Sequence, residues 1–157
     1  VRDRQDLRET VQRDYQAYYQ AHALDTTHPY EGIPALLRSL NDRGVKVCVL
    51  SNKPDADTRN VVRHFFPGID FALVRGQVEG VPVKPDPTGA FAVAEAVGVA
   101  PGSFLYLGDT SVDMTCAARA GMHGIGVLWG FREAEELQAA GAEHLIAAPE
   151  ELLTWLN

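Results

Sequence analysis

The residues in this sequence best suited to chemistry lie in the stretch Leu105-Tyr-Leu-Gly-Asp-Thr-Ser-Val-Asp-Met114. Asp109 and Asp113 stand four positions apart, after the apolar run 104–107 and Gly108. The run reads as a buried strand and Gly108 as the start of a tight turn. Val112, Cys116, Ala117 and Ala120, closed by Gly121, read as the face of a helix. Asp109 then sits at the carboxyl end of a strand, where open α/β sheets bind ligands. Asp113 falls in the first helical turn, and the i,i+4 relation can aim it back toward Asp109. Two neighbouring carboxylates repel each other unless a cation or a proton lies between them. A hard divalent ion such as Mg²⁺, held by one or two carboxylates together with phosphate oxygens, suits the pair. On this stretch alone the opposite reading has equal weight: Asp109 makes the turn and Asp113 complements the helix dipole.

The elements that must position these groups follow from periodicity. Residues 3–21 predict a helix, with Leu7, Val11, Tyr15, Tyr18 and Tyr19 near one side as a packing face. A turn-rich loop, 26–32, follows. Ile33, Leu36, Leu37 and Leu40 predict a second helix stopped by Gly44, and residues 45–50 a β-branched strand. Asp55 or Asp57 is expected to cap a helix carrying Val61, Val62, Phe65 and Phe66. A short strand at 71–74 and a loop at 75–85 come next. Asp86 is the expected N-cap, with Pro87 first, of a helix ended by Gly98. After the central strand and helix come a strand at 124–128, a short helix at 133–139, a strand at 144–146 and a final helix opened by Pro149. Strands alternating with helices from Val45 onward predict a parallel sheet covered on both faces.

Composition bounds the reading. The chain has 157 residues, 46% of them hydrophobic, enough for one domain with a real core, or one and part of another. A net charge of −7 and the lack of any basic run argue against a nonspecific nucleic-acid binder. No apolar stretch reaches membrane-spanning length and no secretory leader is recognisable, so a cytoplasmic protein is expected. Cys48 and Cys116 each lie in an apolar segment and show no metal-ligand spacing, which predicts buried reduced thiols.

Further polar groups fall at strand ends. Ser51 and Asn52 end the strand at 45–50, and Lys84 precedes a helix. A hydroxyl, an amide and helix N–H groups can hold phosphate oxygens. Lysine adds a compact positive charge, and the carboxylates a metal that neutralises the phosphate and orients it for in-line attack. Each has a plainer alternative: Ser51-Asn52 as an ordinary turn, and Lys84 as a solvated loop lysine. Together, in this order on these elements, they favour the phosphate reading.

Ser51-Asn52-Lys53, Lys84-Pro85-Asp86-Pro87 and Gly108-Asp109-Thr-Ser-Val-Asp113 resemble the second, third and fourth motifs of the haloacid dehalogenase superfamily. Its phosphoglycolate phosphatase-like branch is the nearest, through His28-Pro-Tyr-Glu-Gly32, Ala118-Arg-Ala-Gly121 and Gly141-Ala-Glu-His144. The resemblance runs over nearly the whole chain and is weak on substrate. It implies a Rossmann-like parallel sheet flanked by helices, with residues 1–27 as the last part of a helical cap and 28–157 as the core. It implies a Mg²⁺-dependent phosphatase of a small phosphorylated metabolite, phosphoglycolate first among candidates. Ser51 and Asn52 would bind the phosphoryl group, Lys84 would stabilise its charge and that of the nucleophile, Asp109 would ligate Mg²⁺ directly, and Asp113 directly or through water. On this reading a loop lysine buries little, so Lys84→Ala should cost more in turnover than in stability.

The superfamily's first motif, an Asp-x-Asp whose first carboxylate forms an aspartyl-phosphate, has no counterpart here. Asp3 precedes a helix, and Asp55-Ala-Asp57 lies in a helix start. In the family that motif ends a strand in the middle of the sheet, between the strands here at 45–50 and 104–107. Two apolar strand edges are therefore expected to face each other, with the strand supplied by an N-terminal fragment or by another copy of the chain. The competing readings are a non-catalytic phosphate- or metal-binding module and a sugar-phosphate mutase of the same superfamily.

Overall fold

The computed structural model describes residues 5–22 and 24–156. Asp3, the predicted start of the first helix, lies outside them. Helix α1 spans Gln5–His22 and α2 Ile33–Asp42; strand β1 spans Val47–Pro54, α3 Asp55–Phe65, β2 Phe71–Gln77 and α4 Thr88–Val97. Then come β3 Leu105–Gly108, α5 Ser111–Ala120, β4 His123–Val127, α6 Ala134–Ala139 and β5 His144–Ile146. Short 3₁₀ turns occupy Pro101–Ser103 and Pro149–Trp155.

All strand pairs are parallel, as the alternation requires, but they form two ladders. One is β1-β2 and the other is β3-β4-β5. Among the described residues no ladder joins β1 to β3. A cavity of about 470 Å³ lies between them, lined by Val47, Cys48 and Leu50 of β1 and by Leu105, Tyr106 and Leu107 of β3. The faces on either side are built normally. Leu36 and Leu40 of α2 pack with Ile125, Val127, Ile146 and Leu152, joined by Val47, Leu105 and Leu107. On the opposite face Ala90 and Ala94 of α4 pack with Cys116, Ala117 and Ala120 of α5, joined by Leu50 and Tyr106. Strand alternation sorts the side chains between these layers. Helices on both faces thus hold the two ladders beside each other.

Several local readings are corrected. β1 runs on to Pro54 and β2 to Gln77, so Ser51-Asn52 lies inside a strand and residues 75–77 are not loop. Neither Asp55 nor Asp57 caps α3. Asp55 is its first residue, and its carboxylate accepts from the Gly76 N–H at 2.8 Å and from Arg59 at 2.6 Å. Asp86 accepts from the Thr88 N–H at 2.9 Å, but the helix starts a residue later than predicted, after Pro87. The segment after Pro149 is 3₁₀ rather than α. The stripe on α1 is not packed: Val11, Tyr15 and Tyr18 are each about two-thirds exposed, and Tyr19 alone of the predicted aromatics is half-buried. Val112 also faces outward, whereas Cys116, Ala117 and Ala120 are buried as expected. Both cysteines are free. No helix among the described residues is long and apolar enough to cross a membrane.

Gly76 is where β2 meets α3. A Cβ there would come within 2.5 Å of the Asp55 Cα and 2.6 Å of the Lys53 carbonyl oxygen, so main chain would have to move. Gly76→Ala is expected to cost at least about 2 kcal/mol in urea unfolding. Gly102→Ala, whose Cβ would meet nothing closer than 3.9 Å, should stay within about 0.5 kcal/mol.

Candidate functional site

The carboxyl ends of β1 and β3 carry the groups singled out by sequence, and Lys84 joins them. Its ammonium donates to the Leu50 carbonyl of β1 at 3.1 Å and to Asp113 Oδ1 at the start of α5 at 2.7 Å. The two side chains are only 14% and 11% exposed. Lys84 is therefore not a solvated loop lysine, and the expectation that it buries little fails: the chain folds it inward because a carbonyl and a carboxylate await it.

Asn52 fixes the segment that carries Lys84. Its side-chain Oδ1 accepts from the Lys84 N–H at 2.9 Å, and its Nδ2 donates to the Lys84 carbonyl at 3.0 Å. The side-chain amide is used as a latch on the chain at Lys84. Ser51 Oγ accepts from the Lys53 N–H at 3.1 Å, so its hydroxyl proton is not committed by that bond.

Asp113 is buried, and its second oxygen accepts from the Thr110 hydroxyl at 2.6 Å. Thr110 is the N-cap of α5 and accepts in return from the Asp113 N–H. The space is tight: a Cβ on Gly108 would stand 2.2 Å from that of Asp113. The bonds of Asp113 run to Lys84 and Thr110, and Lys84 is its counter-charge. Asp109 leans on the loop after β4, with Oδ2 accepting from the Phe131 N–H at 3.1 Å. Among the described residues there is no cluster of three or more His, Cys, Asp or Glu able to cage a metal by themselves. Two carboxylates at one edge, with phosphate and water completing the shell, is the donor set a hard ion accepts.

Other nucleophiles near the edge are muted. Burial pushes the Cys48 and Cys116 thiols and the Tyr106 hydroxyl above their ordinary values, which keeps all of them neutral. Sequence reasoning missed Lys53. Its ammonium donates to the Tyr19 hydroxyl and lies 4.5 Å from the centre of that ring, tying α1 to the end of β1. It also missed the loop Leu128–Phe131. The signal available was a strand of a parallel sheet running straight into Trp129-Gly-Phe131, which puts that loop on the edge where ligands bind.

Fold and edge together define a Rossmann-like α/β protein whose strand ends combine a hydroxyl, a lysine and acidic groups. Residues 1–127 match the family of haloacid dehalogenase-like hydrolases, and the chain belongs to it. It is 30% identical over 129 residues to a phosphoglycolate phosphatase of Aquifex aeolicus, covering 80% of this chain and 61% of that one. A solved structure from Lactobacillus delbrueckii, assigned as a phosphoglycolate phosphatase, superposes with a TM-score of 0.86 at 33% identity, over 94% of this chain and 62% of that one. One from Thermotoga maritima, assigned as a β-phosphoglucomutase, gives 0.69 at 25% identity, over 80% and 58%. The chain spans about half the length of the curated relatives it matches.

Removing Lys84 would strand a buried carboxylate. Lys84→Met is expected to lower the unfolding free energy by roughly 2–4 kcal/mol, between the values for exposed and for buried pairs. Lys84→Met with Asp113→Asn should recover part of that loss. Urea melts of the three proteins check both expectations.

Proposed function

We propose that this chain, completed by a strand that carries the attacking carboxylate and inactive without it, works as a Mg²⁺-dependent phosphatase of a small phosphomonoester, with phosphoglycolate the substrate to try first. The observation that carries the reading is Lys84, bound at once to the end of β1 and to Asp113 beyond β3. In this reading the Ser51 hydroxyl and the main-chain N–H of Asn52 hold phosphate oxygens, and Lys84 offsets their charge. Asp109 would hold the metal. Asp113, with both oxygens engaged by Lys84 and Thr110, would contribute to it only indirectly and keeps Lys84 in place. When bound, the ion neutralises the phosphate and orients it for in-line attack.

The attacking carboxylate is assigned to a strand seated in the cavity between β1 and β3, parallel to both. Both flanking edges are apolar and, among the described residues, neither is paired on that side. A single extended segment would satisfy their N–H and C=O groups. α1, tied to β1 through Tyr19 and Lys53, is read as the end of a helical cap, so that residues 1–27 and 28–157 are separate units. The two free thiols suit a cytoplasmic setting.

The test joins the chain to an N-terminal apolar strand ending in Asp-x-Asp and follows inorganic phosphate released from phosphoglycolate. Release that needs Mg²⁺ and stops with a chelator is expected. Asp109→Asn should lower kcat/KM at least about 100-fold, since the ion supplies several kcal/mol of charge stabilisation. Full activity in that variant would remove Asp109 from the metal site. An isomeric sugar phosphate formed without phosphate release would indicate the mutase reading. Binding with no turnover of any phosphomonoester would indicate a non-catalytic module.

A further inference from the structure

The loop after β4 comes unusually close to Asp109. A Cβ on Gly130 would lie 2.2 Å from the Asp109 Cβ and 2.5 Å from its Oδ2. These distances are far below any real contact. The glycine is therefore required by proximity, since its backbone is not in the left-handed region. The next residue sends its N–H to the same carboxylate oxygen at 3.1 Å, while most of the Phe131 side chain, 80% exposed, stands in solvent.

We infer that Gly130 and the Phe131 main-chain N–H are positioning residues that fix the Asp109 carboxylate with Oδ2 held and Oδ1 presented for a divalent cation. The inference rests on the reading of Asp109 as a metal ligand. The chemistry is that of an outer-shell partner. A carboxylate that already accepts one N–H bond through a defined oxygen loses little freedom when its other oxygen takes up a cation. Gly130 allows the approach and the N–H sets the angle. The aromatic ring has no part in it, which separates this inference from a packing role for Phe131.

Three variants separate the contributions. Gly130→Ala forces a Cβ into the carboxylate. Phe131→Pro deletes the N–H donor alone among the loop's polar groups. Phe131→Ala keeps the N–H and deletes the ring. Binding of Mn²⁺, titrated into the protein and followed by water-proton relaxation and calorimetry, is expected to weaken about 10-fold or more in the first two, the range found for outer-shell partners of metal ligands. It should stay within about twofold of wild type in Phe131→Ala. Thermal melts identify any variant that fails to fold, and Phe131→Ala then carries the comparison. Wild-type affinity in Phe131→Pro, or a 10-fold loss in Phe131→Ala, overturns the inference while leaving Asp109 as a ligand. If the wild-type protein itself binds no Mn²⁺ at millimolar concentration, the metal reading falls and the inference with it.

Discussion

The Lys84 ammonium ties the two ladders together at the carboxyl ends of β1 and β3. β1 and β3 share no ladder, and side-chain packing above and below holds them side by side. Packing is non-directional and would tolerate sliding of one ladder past the other. Lys84 is directional: it binds a main-chain carbonyl on one side and a buried carboxylate on the other, at 3.1 and 2.7 Å. Its own main chain is clamped by both atoms of the Asn52 amide. Register between the ladders at their carboxyl ends therefore depends on a charge-assisted contact in a desolvated place, where such contacts are strongest and their loss is most costly.

Close approach is the second constraint, and glycine answers it repeatedly along the same edge. Gly76 admits α3 against β2, Gly108 admits Asp113 against the end of β3, and Gly130 admits the β4 loop against Asp109. None of the three has a positive φ, so what each provides is the missing side chain rather than unusual backbone freedom. The carboxylates of Asp55, Asp113 and Asp109 all lie beside one of these glycines, and each accepts a hydrogen bond there: from the Gly76 N–H, the Thr110 hydroxyl and the Phe131 N–H. Polar groups that would otherwise cost free energy at a crowded strand end are satisfied locally.

Much of this was legible in the sequence. Alternating elements fixed the class, because β-branched runs and 3.6-residue periodicity are properties of the chain itself. Asp109, Asp113 and Lys84 were all picked out, and two unpaired edges facing each other were anticipated between the strands later seen as β1 and β3. What failed depends on contacts made across long separations. Lys84 read as a loop lysine because its carbonyl partner is 34 residues upstream and its carboxylate 29 downstream. Asn52 read as a ligand group with nothing to show that its side-chain amide also bonds the chain 32 residues away. The α1 stripe read as a packing face because periodicity reports amphipathicity and says nothing of whether a partner surface lies within reach. Strand ends were short by a few residues at 51–54 and 75–77 because Ser, Asn, Gly and Gln are poor strand formers; the ladder is irregular after Leu50–Arg75 and resumes at Pro54–Gln77.

The charges at the edge make their own argument for a cation, apart from any resemblance. Lys84 and Asp113 form an ion pair that is neutral as a whole, so the lysine can offset only part of a ligand's charge. Asp109 accepts an N–H bond and, among the described residues, has no ion-pair partner. Electrostatically the edge is thus close to neutral at one carboxylate and negative at the other, on a chain whose formal net charge is already −7. A phosphate dianion brought against it would meet like charge at Asp109. Lys84 alone cannot serve both the phosphate and Asp113 at full strength, and releasing Asp113 would leave a buried carboxylate unpaired. On the proposed reading, a divalent ion on Asp109 would resolve the conflict: it would turn a repulsive carboxylate into part of an anion-binding surface and leave the Lys84–Asp113 pair intact.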